Sequence, residues 1–358
     1  MQSRFINQEP KTMKKNKFGD SKITLGYLFM VIFLITKDVE AIDQNIQMKA
    51  LFEGQNIYGP SVLFDQKNKK YEMWYFGWHD EGQVNDRIYY RSSKSGLDFG
   101  ASNKYDVVYT GETLENQSPL AKKIGVNHVG DPSVTKIKNE VTGQYQYTMF
   151  FTVCLGGCKQ KDNQVWSIVS NDGKNWLFPT PLLSSTLGSA EPTGIFDPDP
   201  KTGRIWRVVY TDRLDPKKIK MVNVGGNRKV IGNPITLYSL PKEIKGVVSG
   251  AELKRIGNEL HLFFNRHVGT GANYKIIIEK VTAPTYTSFQ QENSTSTISV
   301  IDHGPGSPFC SATTPSVYVT GSDSYNLYFG LARRRNNGMC IPSNHKNMIV
   351  WRQKLGVK

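Results

Sequence analysis

Five short stretches of the chain carry one pattern: YGPSVLFD (58–65), GDPSVTKI (130–137), AEPTGIFD (190–197), SGAELKRI (249–256) and TTPSVYVT (313–320). Their starts lie 72, 60, 59 and 64 residues apart. Each opens a group in which a short extended segment leads through a turn into a long aromatic strand and then a further amphipathic one. The long strands read KYEMWYFGW (70–78), YQYTMFFTV (145–153), RIWRVVYTD (204–212), ELHLFFN (259–265) and NLYFGLA (326–332). Aromatic and β-branched residues at period two favour strand. Turn sequences such as SNDGKN (170–175), DPDPKTG (197–203) and RIGNE (255–259) separate them. The chain therefore reads as all-β, and five copies of a unit of roughly 60 residues predict a five-bladed β-propeller. Residues 44–56 are expected to add the outer strand of the last blade. Two stacked sandwiches are the competing architecture, but they leave the repeated opening unexplained.

In a propeller the innermost strand of each blade starts at the rim of the central channel. Residues 59, 131, 191, 249 or 250, and 314 are thus expected to converge there. Proline is tolerated just inside such a strand, because no ladder hydrogen bond is lost. The side chains read ahead of it are Gly59, Asp131, Glu191, Ser249 and Thr314. Two acids facing each other across a narrow funnel cannot both ionise easily. One has its pKa raised and serves as proton donor, while the other stays ionised. Hydrolysis of a glycosidic bond needs that division of labour. Asp131 and Glu191 are the leading catalytic candidates. The alternative is that Asp131 caps a turn and Glu191 pairs with one of the many basic residues.

Other residues are candidates for substrate contact. Tyr58, Trp78 and His79 lie near the first opening or at the end of its long strand, where aromatic faces can stack on sugar rings or simply pack between blades. His128 stands three residues before Asp131. Arg87 follows Asp86 at the start of a third strand. Asp212 with Arg213, and Arg266 with His267, end the long strands of the third and fourth groups, the level at which ligand-facing loops begin. Read instead as surface ion pairs, they contribute under about 1 kcal/mol each.

The repeat, the Asp-Pro-Ser opening and the S-x-D-G-x-x-W stretch at 170–176 resemble the five-bladed propeller glycosidases. That group comprises glycoside hydrolase families 32, 43, 62 and 68, with the related mannoside phosphorylases of family 130. The resemblance spans residues 57–356 and rests on the repeat more than on a signature. Family 43 opens its first blade with an Asp base, its third with an Asp modulator and its fourth with a Glu acid. The resemblance carries these roles onto Gly59, Glu191 and Ser249, with Glu252 three residues further on as a third candidate carboxylate. The base position thus holds no carboxylate. Family 130 places its key Asp in an E-D-P-R segment opening blade two, which matches Asp131, but Ser133 stands where the phosphate-holding Arg belongs. The implied activity is a glycosidase, and the implied ligand a glycan. A carbohydrate-binding or adhesion propeller that has lost part of the catalytic set is the alternative. SNDGKNW is similar to the Asp-box of sialidases, a turn device anchored here by Trp176.

Composition agrees with a folded, turn-rich chain. The 358 residues include 17 Tyr, 17 Phe and 6 Trp, too many for a disordered polymer, and 32 Gly with 17 Pro. A single run, ITLGYLFMVIFLI (23–35), is strongly apolar, preceded by Lys14, Lys15, Lys17 and Lys22 and followed by Val39-Glu40-Ala41. Its length suits a signal-peptide core better than a bilayer span. Residues 1–41 are therefore expected to be a leader or N-terminal anchor, residues 42–358 one propeller domain, and the protein secreted, periplasmic or held at the cell envelope. An exported chain with four cysteines suggests the local disulfides Cys154–Cys158 and Cys310–Cys340, with free thiols or a thiolate metal site as alternatives. No cofactor or metal is expected. The formal charge is +14 and stays at +11 when the 7 basic and 4 acidic residues of 1–41 are removed. Its lysines and arginines recur at turns throughout, as in KNKK (67–70), DPKKIK (215–220) and RRR (333–335). That spread fits a solvated surface or an anionic glycan rather than nucleic acid, which selects one basic face.

Overall fold

The computed structural model describes residues 48–79, 85–138, 143–183, 188–197, 205–290, 298–301, 309–322, 324–334 and 340–354. The expected leader and the third arginine of 333–335 lie outside them. The described part is all-β apart from a few short helices. No helix in it is long and apolar enough to cross a membrane.

Strand β1 (Met48–Glu53) precedes four antiparallel strands, β2 (Asn56–Asp65), β3 (Lys70–Trp78), β4 (Arg87–Ser93) and β5 (Asp106–Tyr109), which pair in sequence order. Two short helices follow, α1 (Gly111–Gln117) and α2 (Pro119–Ile124), capped by the Thr110 and Ser118 hydroxyls. The second sheet is β6 (Val126–Lys138), β7 (Tyr145–Leu155), β8 (Asn163–Ser170) and β9 (Trp176–Pro181). The third is β10 (Ser189–Phe196), β11 (Ile205–Asp212), β12 (Lys218–Gly225) and β13 (Val230–Ser239). Then come β14 (Val247–Ile256), β15 (Glu259–Val268), β16 (Lys275–Ala283) and β17 (Ile298–Ile301), and finally β18 (Phe309–Val319), β19 (Ser324–Arg334) and β20 (Cys340–Lys354). Together with β1, these last two groups form one eight-stranded sheet, joined by a single parallel pair between Ile276 and Ser311. β1 returns to the outer edge of β20, with Met48 opposite Trp351.

The second strands are apolar on both faces because both faces are covered. On β7, Met149 and Phe151 pack with Trp74 and Phe76 of β3, while Phe150 between them packs with Trp206 and Val208 of β11. On β15, Leu262 and Phe264 join Val209 and Ile219, whereas Phe263 joins Val317 and Phe329. Met73 and Tyr75 of β3 close the circuit against Tyr328 and Met348. Each fully buried aromatic of this kind contributes about 1.5–3 kcal/mol. The period-two pattern thus sorts side chains between the two neighbouring sheets rather than between core and water.

Hydrogen bonds link the opening strands in the same order. Ser61 Oγ accepts the Val134 N–H at 2.9 Å, and Ser133 Oγ accepts the Gly194 N–H at 3.0 Å. The Thr193 hydroxyl donates to the Ala251 carbonyl. The Glu252 carboxylate, in the same register, accepts the Val317 N–H at 3.5 Å. Ser316 Oγ then accepts the Val62 N–H at 3.2 Å, which returns the chain of bonds to its first member. The Ser or Thr at this place in four of the openings, and Glu252 in the fourth one, is therefore a strand-to-strand connector.

Cysteines 154 and 158 are bonded to each other, as are 310 and 340. His128 Nδ1 lies 3.7 Å from Cys158 Sγ, but sulfurs joined in a disulfide offer no thiolate to a metal. In the SNDGKNW stretch, Asp172 Oδ1 accepts the Lys174 and Asn175 N–H groups, and the Gly173 carbonyl accepts Trp74 Nε1–H at 2.7 Å. That motif is a turn which locks one sheet to the next.

Candidate active site

In all five openings one residue is left-handed. Its φ is 58° at Gly59, 50° at Asp131, 55° at Glu191, 52° at Gly250 and 51° at Thr314. Each lies within a register slip of its antiparallel pair, between Tyr58 and Ser61, Gly130 and Ser133, Ala190 and Thr193, Ser249 and Glu252, and Thr313 and Ser316. The bulge turns that residue out of the ladder. An L-residue in this conformation costs about 1–2 kcal/mol, and such strain gathers at functional sites. Two of the three non-glycine residues that carry it here are acids.

The five positions line one cavity with about 30 Å³ of room, enough for about two water molecules. Pro60, Pro132, Pro192 and Pro315 make its wall. Of the two residues expected at the fourth opening, Gly250 and not Ser249 takes the left-handed place. Ser249 is one residue earlier and buried, with its hydroxyl 2.8 Å from His267 Nε2.

Asp131 and Glu191 share this cavity. Glu191 Oε1 accepts from Arg213 Nη2 at 2.6 Å. Its Oε2 accepts from the Thr211 hydroxyl at 2.9 Å and from the Gly250 N–H at 2.6 Å. Its own N–H is held by Thr152 Oγ1 at 2.8 Å. Every partner of this carboxyl donates, which is the setting of a carboxylate. Asp131 has the opposite environment. Burial pushes its carboxyl up to about 7, and the charge of Glu191 acts in the same direction. The Thr152 hydroxyl and Arg213 oppose this, and the charge of Asp86 adds to it. Two neighbouring acids therefore sit in unlike settings, one whose carboxyl burial pushes up to about 7 and one whose oxygens are filled by donors.

The remaining candidates divide. Tyr58 donates its hydroxyl to Asp86 Oδ2 at 3.2 Å and packs edge-on to Phe76, with ring centres 4.1 Å apart. His267 is near enough for Glu191 and Arg213 to act on its charge, and its Nδ1 lies 2.7 Å from the Tyr274 hydroxyl. Burial lowers its pKa, as burial and then Arg213 lower that of His128. Both imidazoles are neutral bases near this cluster. Glu252 touches the cavity wall, yet its carboxylate is the connector described above and pairs with Lys254 Nζ at 2.8 Å. Asp212 caps the turn after β11, accepting the Leu214 N–H at 2.9 Å, and pairs with Lys220 at 2.6 Å. Arg266 is tied to buried Glu279 at 2.6 Å. His79 stacks on Tyr105, with ring centres 4.0 Å apart, in a separate pocket of about 360 Å³ bordered by Gln55 and Asn103. Trp78 and Arg87 are half-buried at the end of β3 and the start of β4, outside the cavity lining.

Three contributors were not legible beforehand. Thr152 and Thr211 stand on the second strands, where nothing in the sequence marks them. Asp86 reads as half of an ion pair with Arg87 but turns to Tyr58 instead. A polar residue facing inward from an otherwise apolar second strand is the one signal that would have found the threonines.

No protein-family model matches the chain, and its sequence matches no curated protein. Solved structures do match. An endo-arabinanase of glycoside hydrolase family 43 from Bacillus licheniformis superposes with a TM-score of 0.58 at 12% identity, covering 84% of this chain and 95% of the other. An α-L-arabinofuranosidase from Lactobacillus brevis gives 0.57 at 13%, covering 83% and 90%. The family 43 protein BlXynB, also from Bacillus licheniformis, gives 0.56 at 11%, and the chain spans 54% of its length. The chain therefore has the β-propeller fold of these proteins.

Proposed function

We propose that the protein is an exported five-bladed β-propeller glycoside hydrolase in which Asp131 is the proton donor and Glu191 its ionised partner. The observation that carries this reading is the pair itself: two strained acids at adjacent openings of one cavity, one in a proton-holding setting and one surrounded by donors. The blade count rests on five left-handed openings and on a sequence of connector hydrogen bonds that returns to its start. Residues 42–358 are read as this one domain. Export rests on the apolar segment at 23–35 and on the two disulfides, which suit an oxidising compartment.

Hydrolysis then proceeds as follows. Asp131 gives its proton to the leaving glycosidic oxygen as the bond to the anomeric carbon breaks. A carboxylate offers about four acceptor sites, and Glu191 has three of them filled. The fourth is open to the water that adds to the anomeric carbon and gives up a proton. The charge of Glu191 also stabilises the positive charge developing on the sugar. Arg213, His128 and His267 bind sugar hydroxyls around the cavity, and Tyr58 borders the acid pair. The substrate is a neutral or anionic glycan. An anionic one would use the surplus of basic side chains.

The test is product release from arabinan, arabinoxylan and 4-nitrophenyl α-L-arabinofuranoside. Asp131→Asn and Glu191→Gln are each expected to lower turnover by at least about 100-fold with folding intact. Full activity in either variant overturns the assignment. Gly59, Gly250 and Thr314 leave three of the five openings without a carboxylate, and this favours a second reading, a carbohydrate-binding propeller. Glycan binding without product release by the wild type would support it.

A further inference from the structure

We propose that Asp86 is the third carboxylate of this centre, reaching it from the turn before β4 and standing in for the side chain that Gly59 lacks, as a positioning residue that acts on Asp131 directly and through Tyr58. The inference deepens the glycosidase reading and uses the same site.

Three observations carry it. First, Asp86 is 8% exposed, and its Oδ1 is fully buried with no hydrogen-bond partner among the described residues. A buried, half-satisfied carboxyl is costly and is uncommon away from functional sites. Arg87, its neighbour in sequence, does not neutralise it among the described ion pairs. Second, its Oδ2 accepts the Tyr58 hydroxyl at 3.2 Å. Tyr58 adjoins Gly59, the one opening of the first group, so the hydrogen bond brings a carboxylate to the blade whose own opening has none. Third, the charges form a connected set. Tyr58 feels both Asp86 and Asp131, and Asp131 feels Asp86 as well as Glu191 and Arg213.

The physical consequence is a division among three acids with one cation. Glu191 is held by Arg213, Thr211 and the Gly250 N–H. Burial raises Asp86 to about 7, and the Tyr58 hydrogen bond opposes that shift. An ionised Asp86 raises the proton affinity of Asp131, so the proton needed by the leaving group stays on Asp131 to higher pH. The groups that face Asp131 are Glu191 from β10, Arg213 after β11, the Thr152 hydroxyl from β7, Tyr58 from β2 and Asp86 before β4.

Carboxyl titration of ¹³C-labelled aspartates in the intact protein tests this without any substrate, so its outcome is independent of whether the protein cleaves glycans. Asp86→Asn keeps the shape of the side chain and removes its charge. It is expected to lower the Asp131 midpoint by roughly half a pH unit, while Asp172, which its turn holds at about 2, does not move. Tyr58→Phe keeps the charge and removes the hydrogen bond, and should raise the Asp86 midpoint. An Asp131 midpoint unchanged in folded Asp86→Asn overturns the proposal. If that variant does not fold, an Asp86 midpoint unmoved in Tyr58→Phe overturns it. On a cleaved glycan, Asp86→Asn would further shift the alkaline limb of the rate profile to lower pH with KM little altered. Loss of every glycan activity in the wild type would instead sink the hydrolase reading and leave the titration result standing.

Discussion

The ring of Phe76 fills the space into which a side chain at position 59 would project. A Cβ built on Gly59 overlaps Cε1 of that ring, and the φ of 58° at this position disfavours any L-residue. Phe76 is itself 4% exposed and belongs to the cluster between the first two sheets. Phe76 therefore occupies the place that a side chain at the first opening would take.

Gly59→Asp is accordingly expected to destabilise the protein by about 2–4 kcal/mol without raising activity. Combining it with Phe76→Ala relieves the overlap, so the double variant should be less destabilised than the sum of the two singles. Chemical denaturation of the four proteins measures this coupling. Additive losses would show that the ring does not constrain position 59.

Asp131→Asn should stabilise the fold at pH 8 while abolishing turnover. The carboxyl is raised to about 7 in the folded protein, above its unfolded value of about 3.9. The folded state binds the proton more tightly, so stability falls as pH rises from about 4 to about 7. The amide removes that penalty, worth on the order of 1–4 kcal/mol above pH 7 and nothing at pH 3. Melting temperatures of wild type and variant at the two pH values check the sign. A wild type more stable than the variant at pH 8 contradicts it.

Arg213→Ala removes the 2.6 Å partner of Glu191 and a cation acting on Asp131. Arg213 lowers the Asp131 pKa, so its loss raises it further and moves the alkaline limb of activity to higher pH. The rate at the optimum should fall by about 100-fold or more, because Glu191 is left underpaired. Lysine keeps the charge but not the fork and should restore only part of the rate. A limb that moves to lower pH would show that another cation governs the pair.

Ser316→Ala breaks the connector between the last and first opening strands, the 3.2 Å bond from the Val62 N–H. Both groups are buried, so the lost bond leaves an unsatisfied donor and costs about 1–3 kcal/mol. Ser133→Ala, which breaks an internal connector to Gly194, should cost a similar amount. Urea unfolding compares the two. A negligible loss at Ser316 alone would mean that the ring gains nothing from this closing bond.

Much of the fold was legible because it is written in local chemistry. Alternating aromatic strands such as YQYTMFFTV specify a strand with two buried faces, and the recurring x-Pro-Ser/Thr marks where each opening strand begins. The acids Asp131 and Glu191 could be chosen because they sit at the same place in consecutive copies. The sequence leaves the fourth opening between Ser249 and Gly250, since Ala251 stands where the other copies have proline and the register is blurred. Glu252 was chosen for its charge, whereas its carboxylate occupies a connector position that Ser or Thr fills elsewhere. Trp78, His79, Asp212 and Arg266 end strands at the expected level, but level alone does not fix direction around a ring.

By itself, then, the sequence determined the all-β architecture and the repeat and singled out the two acids of the cavity, because each follows from residue type and spacing along one strand or between copies; the disulfides it suggested stood beside free thiols and a thiolate metal site until the structure joined Cys154 to Cys158 and Cys310 to Cys340. Tertiary structure alone decided the unlike settings of the two acids. Burial of Asp131, the three donors gathered on Glu191 from β11, the loop after it and Gly250, and the approach of Asp86 through Tyr58 all depend on residues distant in sequence. Their effect is electrostatic and falls off over a few ångströms, so it exists only once the chain has brought them together.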